Sequence, residues 1–432
     1  MQRHKGSLLL LPQSLLQFRK RSFDQTMTSL ISWLDANTDE NNRMRELVKL
    51  FSTPETIDDL GIGQIRDVIS NTLFPGTSVL HAGARYLLLV PWAYLTAAAG
   101  TTQPDALKSR AEKSERALID RLGEISTTGF IGSSAGNKVR QLPSAAYWSA
   151  LRRYEIVHPD IDRAGVAEAM CAARRSSESS NGSESTVIWD QSLPKPPEGF
   201  PSTEEHGLAL THAEASWIQE RLLASCRGTL LAHLVMSPVP LADNTYGPWE
   251  EPAARTADAH TGQWLRDAEL FSFVHNGANI LYQHLLAELA ARTLHGSGIS
   301  TEATDELLQS WEMERAAKRH LLEGWDTASF LERVQTVNPA IRSSTLDFAR
   351  AIAAAAQDFS TPIADNSALR RAVEDRERLM KKANSRFRNQ QRLRAWAPPE
   401  RVSALTFRWT QVRRTIRDIH DGLARRQELP HA

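Results

Sequence analysis

The sequence predicts a mainly α-helical protein. We expect an N-terminal helical domain that contains a winged-helix or helix-turn-helix piece, followed by a second helical domain with a basic face. Apolar residues recur every three or four positions along most of the chain, which is the helical period. Turns rich in proline and glycine separate these runs. A length of 432 residues, 41% of them hydrophobic, is enough for two or three domains with buried cores.

The chain is predicted to open with a weakly ordered extension over residues 1–26. Its basic start and the apolar run from Leu8 resemble a signal peptide. However, Pro12 ends the run early and no small-residue cleavage site follows, which favours an extension that is not translocated. The first domain is expected over residues 27–160. Within it, residues 65–73 show the spacing of a helix with one buried face.

Three consecutive segments suggest a helix-turn-helix. Residues 104–123 predict an amphipathic helix, residues 128–136 a glycine-rich turn, and residues 143–154 a second helix that carries Arg152 and Arg153. In DNA-binding proteins of this type the second helix enters the major groove, and basic side chains hold the phosphates. An ordinary helical hairpin explains the same pattern, so both interpretations stay open.

A linker is predicted over residues 161–203, because this part of the chain has the lowest complexity. Six serines lie between Ser176 and Ser185, and three prolines follow within residues 194–197. Helical spacing resumes after it, so a second helical domain is expected over residues 204–432. The sequence therefore predicts two domains on either side of a serine- and proline-rich connection.

Cationic residues are concentrated near the C-terminus, although the whole chain is neutral, with 51 Lys and Arg against 51 Asp and Glu. Residues 370–417 hold 15 Lys and Arg and 4 Asp and Glu, a net charge of 15 − 4 = +11. This concentration favours a polyanion, and double-stranded DNA is the predicted partner. The arginines expected at its phosphates in this segment are Arg386, Arg388, Arg392, Arg394 and Arg408. A basic face paired with acidic surface of the same chain is the alternative.

The same segment contains one strongly amphipathic helix. Its apolar positions recur at spacings of 4, 3, 4, 3 and 4, which predicts a buried stripe along one face. The residues of that stripe are Leu405, Trp409, Val412, Ile416, Ile419 and Leu423.

Several classes of enzyme are excluded by missing motifs. The sequence has no G-x-x-x-x-G-K-[ST] loop, no G-x-G-x-x-G after a strand, no H-E-x-x-H and no G-x-S-x-G. Its 13 histidines show no metal-ligand spacing, so no metal and no nucleotide cofactor are predicted. Two distant cysteines and no apolar run near 18 residues predict a cytoplasmic protein that does not enter a membrane.

Carboxylates beside aromatic rings remain as candidates for chemistry. Asp35 is the first, because Trp33 lies two residues before it and a polar segment with Asn37 follows. Asp67, next to Arg66, is the second. The alternative for Asp35 is a helix cap, and for Arg66 an ion pair within the chain. The next cluster contains Tyr86, Trp92 and Arg85, which either share one pocket with these residues or are core and turn residues.

Several motifs together resemble an uncharacterised bacterial family associated with phage defence. They are Ser32-Trp33-Leu34-Asp35, Leu60-Gly61-Ile62-Gly63, Ile65-Arg66-Asp67, Leu73-Phe74-Pro75-Gly76-Thr77-Ser78, Ala84-Arg85-Tyr86, Arg376-Glu377-Arg378 and Arg408-Trp409. The resemblance extends from residue 29 to about residue 423.

This resemblance implies an antiphage DNA glycosylase, an enzyme that removes glucosylated hydroxymethylcytosine bases from phage DNA. It then implies a catalytic carboxylate at Asp35, assisted by Asn37 or Asp67. Trp33, Tyr86 and Trp92 would wall the base pocket, and Arg66 and Arg85 would bind a flanking phosphate of the DNA. A DNA-binding subunit without enzymatic activity, in a multi-protein defence system, is the alternative.

Overall fold

The structure is a computed structural model, and it describes residues 58–179, 187–296 and 298–425. All of them belong to one contact unit that starts at Leu50. The candidates Trp33, Asp35 and Asn37 lie outside the described residues, as do the whole predicted extension, residues 1–26, and residues 27–57 of the predicted first domain.

Fifteen α-helices and no strand occur among the described residues, so the prediction of a mainly α-helical fold is confirmed. One isolated antiparallel bridge joins Val157 and Trp189. In chain order the helices are α1 Gly63–Leu73, α2 Tyr86–Ala98, α3 Pro104–Ile125, α4 Pro143–Arg153, α5 Val166–Ser179, α6 His212–Ser225, α7 Leu230–Met236, α8 Ala259–Thr293, α9 Glu302–Ala317, α10 Arg319–Glu323, α11 Thr327–Val337, α12 Ser343–Gln357, α13 Ser367–Lys381, α14 Gln390–Arg394 and α15 Trp409–Ala424.

The longest helix, α8, lies at the centre of the C-terminal helices. It packs against α1, α9, α12 and α13. Asp258 caps its N-terminus by accepting hydrogen bonds from the backbone N–H groups of His260 and Thr261. Apolar residues occur around the whole circumference of α8, as expected for a helix buried on all sides.

The predicted apolar stripe of α15 is confirmed. Trp409, Val412, Ile416 and Ile419 are buried where α15 packs against α6 and α7, and Leu405, just before the helix, is buried as well. This packing joins the C-terminal segment to the middle of the chain. Arginines of α15 donate hydrogen bonds to loop carbonyls, Arg413 and Arg417 to those of residues 242–245 and Arg414 to that of Gly129.

The helix-turn-helix or winged-helix interpretation needs correction. The two helices exist as α3 and α4, but residues 126–142 and a short 3₁₀ helix, Gly136–Lys138, separate them. Both helices pack mainly against α2, whereas a helix-turn-helix joins its two helices by a turn of three or four residues. The described residues contain no strand from which a wing is built.

The segment predicted as a linker contains a helix. Residues 166–179 form α5, which packs against α3 because Val166, Ala167 and Cys171 are buried on one face. The linker was predicted from the serine-rich composition that begins at Ser176, and the short apolar pattern of residues 166–171 before it was not recognised. Among the described residues, no helix has both the length and the apolar character that crossing a membrane requires.

Candidate functional site

Residues 58–62, just before α1, are bound by Arg376 of the basic C-terminal segment. Asp58 caps α1, because its two carboxylate oxygens accept hydrogen bonds from the N–H groups of Ile62 (2.9 Å) and Gly63 (2.7 Å). Arg376 on α13 donates to the carbonyls of Leu60 (2.7 Å) and Gly61 (2.6 Å). Two motifs from opposite parts of the sequence therefore fix the start of α1.

Asp59, next to Asp58, pairs with two cations of the C-terminal segment. Its Oδ1 lies 2.8 Å from Nζ of Lys381 and 3.4 Å from Nη1 of Arg386. Arg386 also donates to the hydroxyl of Tyr282 at 2.5 Å. Arg386, one of the arginines expected at a phosphate, is thus already bound to a carboxylate and a phenol of its own chain.

Arg408, which was predicted from a different part of the sequence, joins the neighbouring residues Arg66 and Asp67 on α1. Oδ1 of Asp67 lies 3.1 Å from Nη2 of Arg66 and 3.6 Å from Nη2 of Arg408. The Asp67 side chain is 48% exposed, against 21% for Arg66 and 16% for Arg408. A carboxylate that solvent reaches is therefore held in place by two arginines.

Arg408 reaches this position through an unusual backbone. Phe407 (φ 53°) and Arg408 (φ 67°) both adopt the left-handed region, which L residues rarely occupy. Arg408 also donates from Nη1 to Oδ1 of Asn71 (2.8 Å) and to the carbonyl of Thr77 (2.7 Å). Strain of this kind costs about 1–3 kcal/mol per residue and tends to cluster at functional sites.

Tyr86, Trp92 and Arg85 lie in the protein core. The guanidinium of Arg85 forms ion pairs with Glu204 (2.5 Å) and Glu214 (2.9 Å) at about 1% exposure. The Tyr86 hydroxyl accepts from the backbone N–H of Ile131, and the Trp92 indole donates to the carbonyl of Pro194. All three side chains are engaged in packing and internal hydrogen bonds, and the structure does not bring them together with Asp67.

The remaining predicted arginines are exposed. Arg152 and Arg153 end α4, and Arg152 donates to the carbonyl of Pro159. Arg388, Arg392 and Arg394 lie on or just before α14. Arg392 hydrogen-bonds the side chain of Asn384, whereas the side chains of Arg388 and Arg394 have no hydrogen bond or ion pair to a described residue.

Comparison with known proteins gives one finding. A family model described as a family of unknown function, DUF6361, matches residues 28–422. The chain belongs to this family. No curated protein matches the sequence, and no solved structure matches it.

In this DUF6361 member the exposed cations line a cleft of about 870 Å³ between the end of α13 and α14. Lys382 and Arg388 contribute charges that no described residue neutralises, while Arg378 is paired with Glu374 and Asp375. Of these two, Arg388 was predicted as a DNA-binding residue from the sequence and Lys382 was not. The signal was available, since Lys381-Lys382 ends a basic helix.

Part of the basic segment is neutralised inside the chain, as the alternative interpretation expects. Carboxylates pair with Arg370, Arg378, Lys381, Arg386, Arg408 and Arg417. By contrast, five exposed cations of residues 370–417 have side chains without a hydrogen bond or ion pair to the described part of the chain. They are Arg371, Lys382, Arg388, Arg394 and Arg401.

Two buried carboxyls of the DUF6361 fold were not selected from the sequence. Burial raises the pKa of Glu115 to about 7, although its Oε2 accepts a hydrogen bond from the backbone N–H of Ser144 (2.7 Å). Burial also raises the pKa of Asp418 to about 6, although it accepts from the N–H of Ala84. For Glu115 the sequence carried a signal, because it falls on the buried stripe of α3 with Leu107 and Ala111.

Proposed function

We propose that this protein binds double-stranded DNA through the exposed cations near α14 and removes a modified base from it. The activity proposed is that of a DNA glycosylase on glucosylated hydroxymethylcytosine in phage DNA. The observation that carries the chemistry is the exposed Asp67 carboxylate, held between Arg66 and Arg408. The choice of base rests on the sequence resemblance to the antiphage DNA glycosylase.

DNA binding is supported by exposed cationic side chains that have no carboxylate partner among the described residues. Lys382, Arg388 and Arg394 point cationic groups at solvent within one short stretch of chain, and no carboxylate of the described residues pairs with them. Phosphate contacts by such groups supply most of the affinity of non-specific DNA binding. Arg392, anchored to Asn384, extends the same surface.

Base removal places a particular demand on the site. Breaking an N-glycosidic bond develops positive charge on the sugar, and a carboxylate close to that charge lowers the barrier. Asp67 is accessible for this role, since solvent reaches about half of its side chain. Arg66 and Arg408 would hold the carboxylate still and lie beside a flanking phosphate. Asp35 stays the second candidate for the same role.

Release of the modified base by the purified full chain tests the proposal. Phage DNA that carries glucosylated hydroxymethylcytosine is the substrate, and the same DNA with unmodified cytosine is the control. Free base in the first reaction and none in the second supports the proposal. Binding of both DNAs without release would contradict the enzymatic part.

A second function, DNA binding without chemistry, is favoured by one specific observation. Two guanidinium groups contact the Asp67 carboxylate, and such pairing is typical of a structural ion pair whose charge is already balanced. In that case Asp67 fixes α1 to the segment before α15, and the basic surface alone carries the function. The release experiment separates the two functions.

A further inference from the structure

We infer that the cleft between α13 and α14 is a binding site for the DNA backbone that contacts phosphates and reads no base. This inference rests on the proposed DNA binding and assigns it to particular residues. They are Lys382, Arg388, Gln390 and Gln391, of which the amides and the lysine were not selected from the sequence.

Hydrogen bonds within the chain fix the walls of the cleft. Glu377 is fully buried, and its carboxylate accepts from the hydroxyl of Ser385 (2.5 Å) and from the backbone N–H of Arg386 (2.8 Å). Asn389 accepts from the N–H groups of Gln391 and Arg392 and donates to the carbonyl of Ala383. These bonds fix the loop from α13 to α14 at both ends.

Lys382 begins this loop in a strained conformation. Its φ is 50°, in the region where a side chain is disfavoured and glycine is the usual residue. A glycine at this position would remove the strain but also the ammonium group that lines the cleft. The geometry is consistent with a lysine retained for its charge.

The chemistry of the lining fits a phosphodiester chain. Lys382 and Arg388 offer unpaired positive charge, and the side-chain amides of Gln390 and Gln391 have no hydrogen bond to a described residue. Amides of this kind donate to phosphate and sugar oxygens, and such contacts position a protein on DNA without reading its sequence.

The lining of this cleft offers no stacking platform for a base. None of the residues that line it is aromatic, so no ring is present on which an unstacked base would lie. The adjoining helix α14 spans only Gln390–Arg394, too short to follow a major groove as a recognition helix does. Specificity for a base must therefore come from another part of the protein.

The test compares two double variants of equal charge. Lys382→Gln with Arg388→Gln removes the cleft cations. Arg371→Gln with Arg401→Gln removes two cations of the same basic segment that are equally exposed and unpaired but lie outside the cleft. Thermal melts confirm that both fold. Binding to unmodified AT-rich and GC-rich duplexes is then measured at several salt concentrations.

We expect the negative slope of log affinity against log salt to become shallower by about 1.8 in the cleft variant, which is about 0.9 for each lost phosphate contact. The slope of the outer variant should stay unchanged. Wild-type affinity should be the same for both duplexes, and Gln390→Ala should weaken binding without changing the slope. An equal loss of slope in both double variants, or a base preference that vanishes in the cleft variant, would overturn the inference. If the wild type binds no duplex, the proposed function fails with it.

Discussion

Asp67 on α1 and Arg408 at the start of α15 form an ion pair that joins the first and last parts of the described chain. Nη2 of Arg408 lies 3.6 Å from Oδ1 of Asp67, and Nη1 of the same guanidinium donates to the carbonyl of Thr77 at 2.7 Å. The contact depends on a left-handed backbone at Arg408. The side chain therefore lies where its hydrogen bonds require it, at a cost in backbone conformation.

That cost predicts an unusual order of stability at position 408. Both Arg408→Ala and Arg408→Gly lose the same hydrogen bonds, but only glycine adopts a φ of 67° without strain. The glycine variant should be more stable than the alanine variant by about 1 kcal/mol in urea denaturation. At a position with ordinary negative φ the order is reversed, so a more stable alanine variant would refute the strain.

Arg85 should matter for stability and not for DNA. Arg85→Met leaves Glu204 and Glu214 buried without their cation, which typically costs about 3–5 kcal/mol. The exposed pair of Arg350 with Asp347 provides the control, because Arg350→Gln should cost less than about 1 kcal/mol. DNA affinity of the folded Arg85→Met protein should equal that of the wild type. A selective loss of affinity would return Arg85 to the DNA-binding residues.

Glu115 should make the fold less stable as the pH rises. Its pKa is raised from 4.5 in the unfolded chain to about 7 in the fold, because burial penalises the charged form. The neutral acid therefore contributes its full stability below about pH 4.5, and this contribution is lost as the pH rises through 7. Urea denaturation of the wild type should show this decline.

Glu115→Gln is the matched control for that prediction. Glutamine keeps the size and an acceptor for the Ser144 N–H but cannot ionise, so the difference between variant and wild type should grow from pH 5 to pH 8. Asp418, whose pKa is also raised, declines equally in both proteins and cancels in the comparison. A difference that stays constant with pH would show that Glu115 does not titrate in this range.

The helical class and the stripe of α15 were predictable because both depend on local spacing. The segment before α15 places Leu405 on the same buried face as Val412 and Ile416, and no knowledge of partners is needed to see it. The concentration of cations around α14 was visible for the same reason. It required only counting charges along the chain.

Pairing between distant residues was not predictable from one sequence. The partners of Arg85 lie far along the chain at Glu204 and Glu214, and nothing in the spacing indicates that they meet. Arg386 was selected with Arg388 on composition alone, yet Asp59 binds the first and not the second. Whether a cation is free or paired depends on tertiary contacts. The basic segment could therefore be located from the sequence, but its paired cations could not be told from its unpaired ones.

The helix-turn-helix interpretation failed for a related reason. The periodicity of α3 and α4 was identified correctly, but their mutual packing depends on the length of residues 126–142 and on the apolar surface of α2. Both helices pack against α2 rather than mainly against each other, and spacing along the sequence does not show which of two apolar surfaces a helix will pack on.

Participation of Asp67 in base removal is measured by comparing Asp67→Asn with the wild type on glucosylated phage DNA. Asp35→Asn is measured in parallel. Asp347→Asn, which alters an exposed carboxylate also paired with an arginine, is the control. We expect release of the base by the wild type and by Asp347→Asn. For Asp67→Asn we expect a loss of about 10²–10³-fold in rate with DNA affinity retained. Full activity of Asp67→Asn, or no release by the wild type, would contradict this role of Asp67.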